Sequence, residues 1–348
     1  MSNSRKKVVR FDLWIDPVFD ERLRRESSID LQVGAVAGPP AKGVDLLADA
    51  HVFHVSPAKD ELPQWLQVTA ALIEKCPNLL CVSSAGSGYD TIDVAACTRA
   101  GVAVMNQAGG NADSVAELTL GLMIDVSRRI TESDRRLRRE RGFSREDVKG
   151  HELRGKVIGL VGIGHIGRRV AALARAFGMS VLAMDPYLTA EEIERRNARP
   201  ASLDEILKLS DVVSLHCPRD KSTMKMIDAR AFGAMKRGAI FISTARGGIH
   251  DEAALADALR SGHLSGAGLD VWDPEPPALD HPLLRLDNVV ATFHTAGVSH
   301  EARRNVAAIS AEQIVLALKG GRPPRLINPE VWPAYAARFV RIAGHPVQ

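Results

Sequence analysis

Three glycines follow a short apolar segment at a spacing typical of dinucleotide-binding sites. The segment Val157–Val161 is apolar and rich in β-branched residues, which predicts a buried strand of a parallel sheet. Gly162, Gly164 and Gly167 then give the G-x-G-x-x-G pattern where this strand would turn into a helix. Glycines at such positions allow a tight turn, close approach of a pyrophosphate, and close packing of the helix on the strand. The pattern therefore predicts that the phosphates of a bound dinucleotide lie at the N-terminus of that helix.

An acidic residue ends the next predicted strand, at residues 180–185. Asp185 comes about 20 residues after the glycines, where a carboxylate can accept hydrogen bonds from the adenosine ribose. Pro186 and Tyr187 follow, so no cation stands directly beside Asp185 to neutralise a 2′-phosphate. We therefore predict NAD rather than NADP as the cofactor.

Three ionisable residues follow later apolar segments, at positions where a hydride-transfer site needs them. Arg246 lies in a glycine-rich loop after residues 239–243, and its planar guanidinium can bind a carboxylate through two hydrogen bonds. His294 follows residues 289–292, and an imidazole can exchange a proton with a carbonyl or hydroxyl. Glu275 stands between two prolines and could orient the imidazole. A surface ion pair for Arg246 and a structural role for His294 are the alternatives.

A second glycine-rich loop follows another predicted strand, at residues 79–83. The backbone N–H groups of Gly86, Ser87 and Gly88 can bind an anion at the carboxyl edge of an open α/β sheet. A plain tight turn is the alternative.

Apolar strand-like segments alternate with helical patterns along most of the chain, which predicts two α/β domains with parallel sheets. We predict that one domain comprises residues 1–110 and 306–348, and the other residues 111–305. A long helix is predicted over residues 115–141, with a buried first half and a strongly basic second half. The basic half is interpreted as a solvated or subunit-facing surface. Nucleic-acid binding is the alternative, which the interleaved acidic residues disfavour.

The composition excludes several classes of protein. The 348 residues carry a net charge of only +3, which gives no reason to expect a nucleic-acid partner or an anionic membrane. No apolar run approaches the ~18 residues of a membrane-spanning helix, and no apolar segment follows the basic N-terminus as in a signal peptide. The four cysteines and the histidines lack metal-ligand spacing. We predict a cytoplasmic protein without a metal site.

Six motifs occur in order along the chain: Gly-Ser-Gly-Tyr-Asp at 86–90, Gly-Ile-Gly-His-Ile-Gly at 162–167, His-Cys-Pro at 216–218 with Thr223, Thr-Ala-Arg-Gly-Gly at 244–248, Gly-Leu-Asp-Val-Trp-Asp-Pro-Glu-Pro-Pro at 268–277 and His-Thr-Ala-Gly at 294–297. Together they resemble those of D-isomer-specific 2-hydroxyacid dehydrogenases, a family that includes phosphoglycerate dehydrogenases and glyoxylate/hydroxypyruvate reductases. The resemblance spans roughly residues 46–328, with Ser243 and Ala108 where the family often has Asn and Pro. It implies two Rossmann- or flavodoxin-like doubly wound domains with the active site in the cleft between them, and usually a homodimer.

The resemblance also implies a role for each matching residue. Arg246 would bind the substrate carboxylate and carbonyl, and His294 would be the acid/base with Glu275 as its partner. The Gly86–Gly88 amides would bind the substrate carboxylate, and D stereochemistry is implied in the same way. The implied cofactor contacts are Gly162, Gly164, His165, Ile166, Gly167, Asp185, Cys217, Thr223, Thr244, Ala245, Asp270, Ala296 and Gly297, with Asp270 near the nicotinamide amide.

These motifs are compatible with two alternative functions from different classes. The first is an NAD-dependent dehydrogenase or reductase acting on a small D-2-hydroxy or 2-keto acid of the phosphoglycerate, glyoxylate or hydroxypyruvate type. The second is an NAD(H)-sensing, corepressor-like binding protein of the same fold. His54 and Lys59 are candidates for contact with an anionic substituent of the substrate, and solvent exposure without such a role is the alternative.

Overall fold

The computed structural model describes residues 5–347, which form two compact units. Unit 1 contains the described residues up to Asn111 and those from His300 onward, and unit 2 is Ala112–Ser299. Residues 1–4 of the basic N-terminal segment, and Gln348, lie outside the described residues.

Unit 1 begins with a five-stranded parallel sheet and its connecting helices. The strand order is β2-β1-β3-β4-β5, which is the flavodoxin-like order and reverses direction between β1 and β3. The elements are β1 (Lys6–Phe11), α1 (Val18–Arg24), β2 (Ile29–Gly34), α2 (Pro40–Ala48), β3 (Val52–Val55), α3 (Ala70–Glu74), β4 (Cys81–Ser84), α4 (Val94–Arg99) and β5 (Ala103–Met105).

Both faces of this sheet are buried. Successive side chains of a strand point to opposite faces, so Val8 and Val9 of β1 enter different apolar clusters. Val8 shares its cluster with Phe19 of α1, and Val9 shares the other with Leu47 of α2. Burial on both sides agrees with the inner strands β3 and β4, in which every residue is buried, whereas the edge strand β2 alternates apolar and polar residues.

Unit 2 contains a seven-stranded parallel sheet in the order β12-β11-β10-β9-β6-β7-β8. From β8 to β11 this is the order of dinucleotide-binding sheets, and its direction reverses between β6 and β9, where such sheets bind ligands. The elements are α5 (Ala112–Arg128), α6 (Ile130–Arg139), β6 (Val157–Val161), α7 (His165–Ala176), β7 (Ser180–Met184), α8 (Ala190–Arg195), β8 (Arg199–Pro200), α9 (Leu203–Leu209), β9 (Val212–Leu215), α10 (Ala229–Ala234), β10 (Ile240–Ser243), α11 (Glu252–Arg260), β11 (Gly266–Leu269) and β12 (Val289–Ala291).

The prediction of a single long helix over residues 115–141 is wrong, because the chain forms two helices there, α5 and α6. Arg129 breaks the helix by adopting a left-handed conformation with φ of 54°. Asp125 then accepts hydrogen bonds from the backbone N–H of Thr131 at 2.7 Å and from its hydroxyl at 2.6 Å. These bonds satisfy donors at the start of α6 and stabilise the new helix direction.

The last two helices, α12 (His300–Leu318) and α13 (Trp332–Ala343), return to unit 1. The sequence-based boundary between residues 305 and 306 falls inside α12, which lies in unit 1 as a whole. The segment after α12 runs antiparallel to β5, with Leu326 bridged to Met105. Asn328 accepts a hydrogen bond from the backbone N–H of Val104 at 2.8 Å, which ties the segment to the sheet.

A buried histidine in unit 2 makes stability depend on pH. His250 packs edge-on to Phe241 with ring centroids 5.1 Å apart, and within the described residues neither ring nitrogen has a hydrogen-bond partner. Burial lowers the pKa of His250 from 6.5 to about 4. In the unfolded chain this histidine therefore binds a proton below about pH 6.5, whereas in the folded chain it stays neutral down to about pH 4. The free energy of unfolding falls as the pH drops through that window.

We expect His250→Leu to be at least as stable as the wild type at pH 7, because it removes two unsatisfied buried polar atoms. Between pH 7 and pH 5 its free energy of unfolding should fall by about 2 kcal/mol less than that of the wild type. Urea unfolding at both pH values measures the difference. Equal losses in the two proteins would contradict the assignment of this pH dependence to His250.

Candidate active site

The glycine-rich loop after β6 has the shape that a bound pyrophosphate requires. Gly162 adopts a φ of +93°, a conformation that L side chains rarely adopt. A Cβ atom at Gly167 would lie 2.3 Å from the carbonyl oxygen of Gly162, so α7 packs directly on the loop. At Gly164 an added Cβ would meet no atom within 4 Å, which leaves open space beside the N-terminus of α7. The residues present therefore fit a dinucleotide whose phosphates accept hydrogen bonds from the backbone N–H groups in the first turn of α7.

Asp185 lies directly beside this loop, at the end of β7. Its carboxylate accepts hydrogen bonds from the backbone N–H groups of Ile163 and Tyr187, each at 3.1 Å. The side chain is half-buried, and each carboxylate oxygen can accept further hydrogen bonds, such as those of a ribose. Arg196 donates to the carbonyl of Ile163 at 2.6 Å, so the N–H and the carbonyl of this loop residue are both engaged. Sequence reasoning missed Arg196, because it lies 33 residues further along the chain outside any motif.

Six of the residues assigned to the cofactor follow β9, β10 and β12. Burial raises the pKa of Cys217 to about 11, which keeps its thiol neutral. Thr223 is half-buried and donates to the carbonyl of Pro218 at 2.8 Å. Thr244 is buried against the hydroxyl of Thr119 at 3.0 Å. Three further residues lie in the same loops: Ala245 and Ala296 are buried, and Gly297 is half-buried.

Asp270 has a supporting role that the sequence did not reveal. Its side chain is fully buried, and its carboxylate accepts hydrogen bonds from the hydroxyl of Thr292 at 2.6 Å and from the backbone N–H groups of Thr295 and Ala296 at 2.9 Å. Its own carbonyl accepts from the N–H of His294 at 2.7 Å. Asp270, which the resemblance assigns to the cofactor, thus holds the loop that carries His294.

His294 and Glu275 form a direct pair. The imidazole Nδ1 lies 2.9 Å from Oε2 of Glu275, while Oε1 accepts from the backbone N–H of Trp272 at 3.0 Å. Burial by itself would raise the pKa of Glu275, but the hydrogen bond from His294, the Trp272 N–H and the charge of Arg246 outweigh it and hold that pKa below its ordinary value. With Nδ1 engaged, Nε2 of the partly exposed imidazole remains for a reacting group.

Arg246 approaches this pair from the neighbouring strand β10. Its guanidinium is half-buried and donates to the carbonyl of Ala245 at 2.7 Å. The next residue, Gly247, packs so closely on the other loop that an added Cβ would lie 1.8 Å from the carbonyl oxygen of Trp272. Arg246, Glu275 and His294 therefore follow three adjacent strands, β10, β11 and β12, at the carboxyl edge of one sheet.

In unit 1, the glycine-rich loop after β4 presents backbone donors. The carbonyl of Gly86 accepts from the N–H of Gln107 at 2.9 Å, that of Ser87 from the Asn106 amide at 2.7 Å, and that of Gly88 from Ser84 at 2.5 Å. Within the part of the chain that the structure describes, the N–H groups of these three residues donate to no hydrogen bond. The carbonyl oxygens of Gly86–Gly88 are thus engaged within unit 1, and their backbone N–H groups can donate to an anion.

The two candidates for contact with an anionic substituent differ in their surroundings. His54 is buried, stacks on Phe19 at 4.4 Å and lies 3.1 Å from the hydroxyl of Ser83. Burial lowers the pKa of His54 to about 3, so the ring is neutral at physiological pH. His54 therefore offers neither charge nor exposed surface to an anion. Lys59 is exposed, in keeping with a solvated cation.

Residues 5–347 contain neither a metal-binding cluster nor a membrane-spanning helix. No group of three or more His, Cys, Asp and Glu side chains there is arranged to hold a metal ion. Over the same residues, no helix combines the length and apolar character needed to cross a lipid bilayer.

Comparison with known proteins gives matches over most of the chain. The family model described as "D-isomer specific 2-hydroxyacid dehydrogenase, NAD binding domain" matches residues 120–296. A D-3-phosphoglycerate dehydrogenase of Archaeoglobus fulgidus is 43% identical over 254 residues, which are 73% of this chain and 48% of that protein. A glyoxylate reductase of Thermofilum pendens is 38% identical over 276 residues, 76% of this chain and 79% of that protein. The chain spans about half the length of the curated phosphoglycerate dehydrogenases that it matches.

Solved structures give similar matches. A glyoxylate reductase from Paecilomyes thermophila superposes with a TM-score of 0.84 at 28% identity, covering 95% of this chain and 99% of that one. A D-lactate dehydrogenase from Aquifex aeolicus, complexed with NAD and lactic acid, superposes with a TM-score of 0.78 at 27% identity, covering 92% of this chain and 98% of that one.

Proposed function

Because this chain belongs to the D-isomer-specific 2-hydroxyacid dehydrogenase family, we propose that it transfers a hydride between NAD and C2 of a small 2-hydroxy or 2-keto acid. The observation that carries the proposal is the His294–Glu275 pair at 2.9 Å, beside Arg246 on the sheet that also carries the glycine-rich loop. A nucleotide-binding protein without an activity needs no such pair of proton-handling groups.

Each side chain has a chemical task in the proposed reaction. A nicotinamide dinucleotide held by the Gly162–Gly167 loop and Asp185 would supply the hydride to C2 in reduction and accept it in oxidation. Arg246 binds the carboxylate and carbonyl of a keto acid through its planar donors, and the Gly86–Gly88 amides bind the carboxylate. Nε2 of His294 gives its proton to the carbonyl oxygen during reduction and takes it back from the hydroxyl during oxidation. Glu275 holds Nδ1 and stabilises the imidazolium by its charge.

The proposal is tested with NADH and a panel of 2-keto acids, followed by the loss of NADH absorbance. The glyoxylate reductase of Thermofilum pendens is matched over 79% of its own length, so glyoxylate is the first acid to test. Hydroxypyruvate is the second, and oxidation of 3-phosphoglycerate with NAD is the third. NADH binding without turnover of any of them would favour the alternative function, an NAD(H)-sensing binding protein.

The enzyme is expected to prefer NADH over NADPH by at least about tenfold in kcat/KM. A 2′-phosphate would lie against the Asp185 carboxylate, and like charges in contact disfavour binding. Within the described residues Asp185 has no salt-bridge partner, and Arg196 is engaged by the carbonyl of Ile163. Asp185→Ser should raise kcat/KM with NADPH. Equal kcat/KM for the two cofactors in the wild type would contradict this prediction.

We further propose a homodimer, in which a second copy covers α6. No residue of α6 is buried, and Ile130 and Leu137 are 51% and 64% exposed at positions seven residues apart, hence on one face. Apolar side chains exposed on such a face favour association. Light scattering with size-exclusion chromatography should give about twice the chain mass of 37.6 kDa. The mass of a single chain would contradict it.

A cytoplasmic location is proposed on the state of the cysteines. All four are free thiols, and burial raises the pKa of each, to about 11 for Cys76 and Cys217 and to about 12 for Cys81 and Cys97. Unpaired thiols are typical of a reducing compartment.

A further inference from the structure

Two buried glutamines lie behind the Gly86–Gly88 loop of unit 1. Gln107 follows β5 and is 0% exposed, and Gln313 lies on α12 and is 2% exposed. They are 206 residues apart in sequence, yet Nε2 of Gln313 donates to Oε1 of Gln107 at 2.8 Å. Burying two amide groups is costly unless each hydrogen-bonding atom has a partner, so their partners indicate what the pair holds in place.

Gln107 holds the loop at two points. Its side-chain Nε2 donates to the carbonyl of Ser84 at 3.0 Å and lies 3.3 Å from the hydroxyl of Ser83, both at the end of β4. Its backbone N–H donates to the carbonyl of Gly86 at 2.9 Å. The direction in which the loop presents its own N–H groups therefore depends on where Gln107 stands.

Gln313 in turn fixes the segment that contains Gln107. Its Nε2 also donates to the carbonyl of Asn106 at 2.9 Å, and its Oε1 accepts from the backbone N–H of Arg325 at 3.1 Å. Asn106 itself donates from its side chain to the carbonyl of Ser87 at 2.7 Å. Both protons of each glutamine amide are engaged, and a buried network satisfied in this way is rigid.

We propose that the Gln107–Gln313 pair positions the Gly86–Gly88 loop so that its backbone N–H groups can receive the carboxylate of the substrate. The two glutamines act through the loop carbonyls and touch no substrate. The inference rests on the proposed function of the site. A polar pair that merely stabilised the fold would instead lower the apparent kcat, because less of the protein is folded, and would leave KM unchanged.

Gln313→Met keeps the length of the side chain and removes its donors, and Gln107→Met removes only the side-chain bonds of that residue while its backbone N–H remains. With glyoxylate as the probe, we expect KM to rise about tenfold or more in each variant, with a smaller change in kcat. The Kd for NADH, measured by fluorescence titration, should stay unchanged, because the glycine-rich dinucleotide loop belongs to unit 2. Asn305→Ala, which alters an exposed amide on the same helix α12, is the matched control and should leave KM unchanged.

Hydrogen exchange of the Gln107 backbone amide provides a readout that does not require turnover. This N–H donates to Gly86, so faster exchange in Gln313→Met, with exchange across α7 unchanged, would show that the loop has been released. If the wild type turns over none of the acids tested, the proposed function fails and the exchange measurement alone decides the inference. Wild-type exchange and a wild-type KM in the variants would overturn it, and so would a lower apparent kcat at an unchanged KM.

Discussion

His294→Ala is expected to reduce kcat for reduction of a 2-keto acid by about 10²–10⁴-fold, the usual contribution of a positioned acid/base group. Without the imidazole, no group remains at Nε2 to give a proton to the carbonyl oxygen as the hydride arrives at C2. The Kd for NADH should remain close to that of the wild type, because the glycine-rich loop and Asp185 are untouched. Stopped-flow or steady-state absorbance of NADH measures the rate, and fluorescence titration measures the Kd.

Two further variants isolate the cause of this loss. His300→Ala removes an exposed histidine at the start of α12 and should leave kcat unchanged. Glu275→Gln keeps hydrogen-bonding atoms beside His294 and Trp272 but removes the negative charge, so it should lower kcat by less than His294→Ala does. Unchanged turnover in His294→Ala would refute the role of His294 as the acid/base group.

The backbone at His294 shows why this loop needs support from elsewhere in the structure. Its φ of 48° lies in the left-handed region, which costs a residue other than glycine about 1–3 kcal/mol. The hydrogen bonds from the loop to Asp270 hold this conformation, since they engage the carboxylate and the backbone carbonyl of one fully buried residue. The cost of the strained residue is therefore offset by contacts with Asp270, directly after β11, rather than within the loop.

Local pattern and strand geometry explain how much of the candidate site was predictable. The glycine spacing and the carboxylate of Asp185 predict the dinucleotide loop, because both are set by the turn from one strand to one helix. Arg246 and His294 could be placed together because the carboxyl ends of parallel strands share an edge of the sheet. The two parallel α/β sheets followed from the alternation of apolar strands and helices, and that fold class is confirmed.

The contacts that the sequence did not predict join residues with no regular spacing. Asp270 reaches its loop partners across 22 to 26 residues, Arg196 reaches Ile163 across 33, and Gln313 reaches Gln107 across 206. Periodicity identifies the face of a helix or strand that is buried, but it does not identify the partner of a single polar side chain. The break at Arg129 was missed for a related reason, because arginine favours helix and only the tertiary contacts force it out.

Gly247→Ala is expected to be the most damaging of the small substitutions in this site. The new Cβ would lie 1.8 Å from the carbonyl oxygen of Trp272 and 2.3 Å from its carbon, and neither atom belongs to a side chain that can rotate away. The loops that carry Arg246 and Glu275 must therefore move apart. We expect the free energy of unfolding to fall by about 1–3 kcal/mol or more, and kcat/KM to fall by about 10²-fold or more, since a displacement of about 1 Å suffices for such a loss.

Gly233→Ala is the matched control, because an added Cβ there meets no atom within 4 Å and the residue lies in α10. Alanine is favoured over glycine inside a helix by about 0.5–1 kcal/mol, so this variant should be as stable as the wild type or slightly more so, with unchanged turnover. Urea unfolding and NADH absorbance compare the two variants. Wild-type kcat/KM in a folded Gly247→Ala protein would mean that the spacing between the Arg246 and Glu275 loops does not limit the reaction. A large loss of kcat/KM with NADH affinity retained would instead mean that the reaction depends on this spacing, which Gly247 sets by having no side chain.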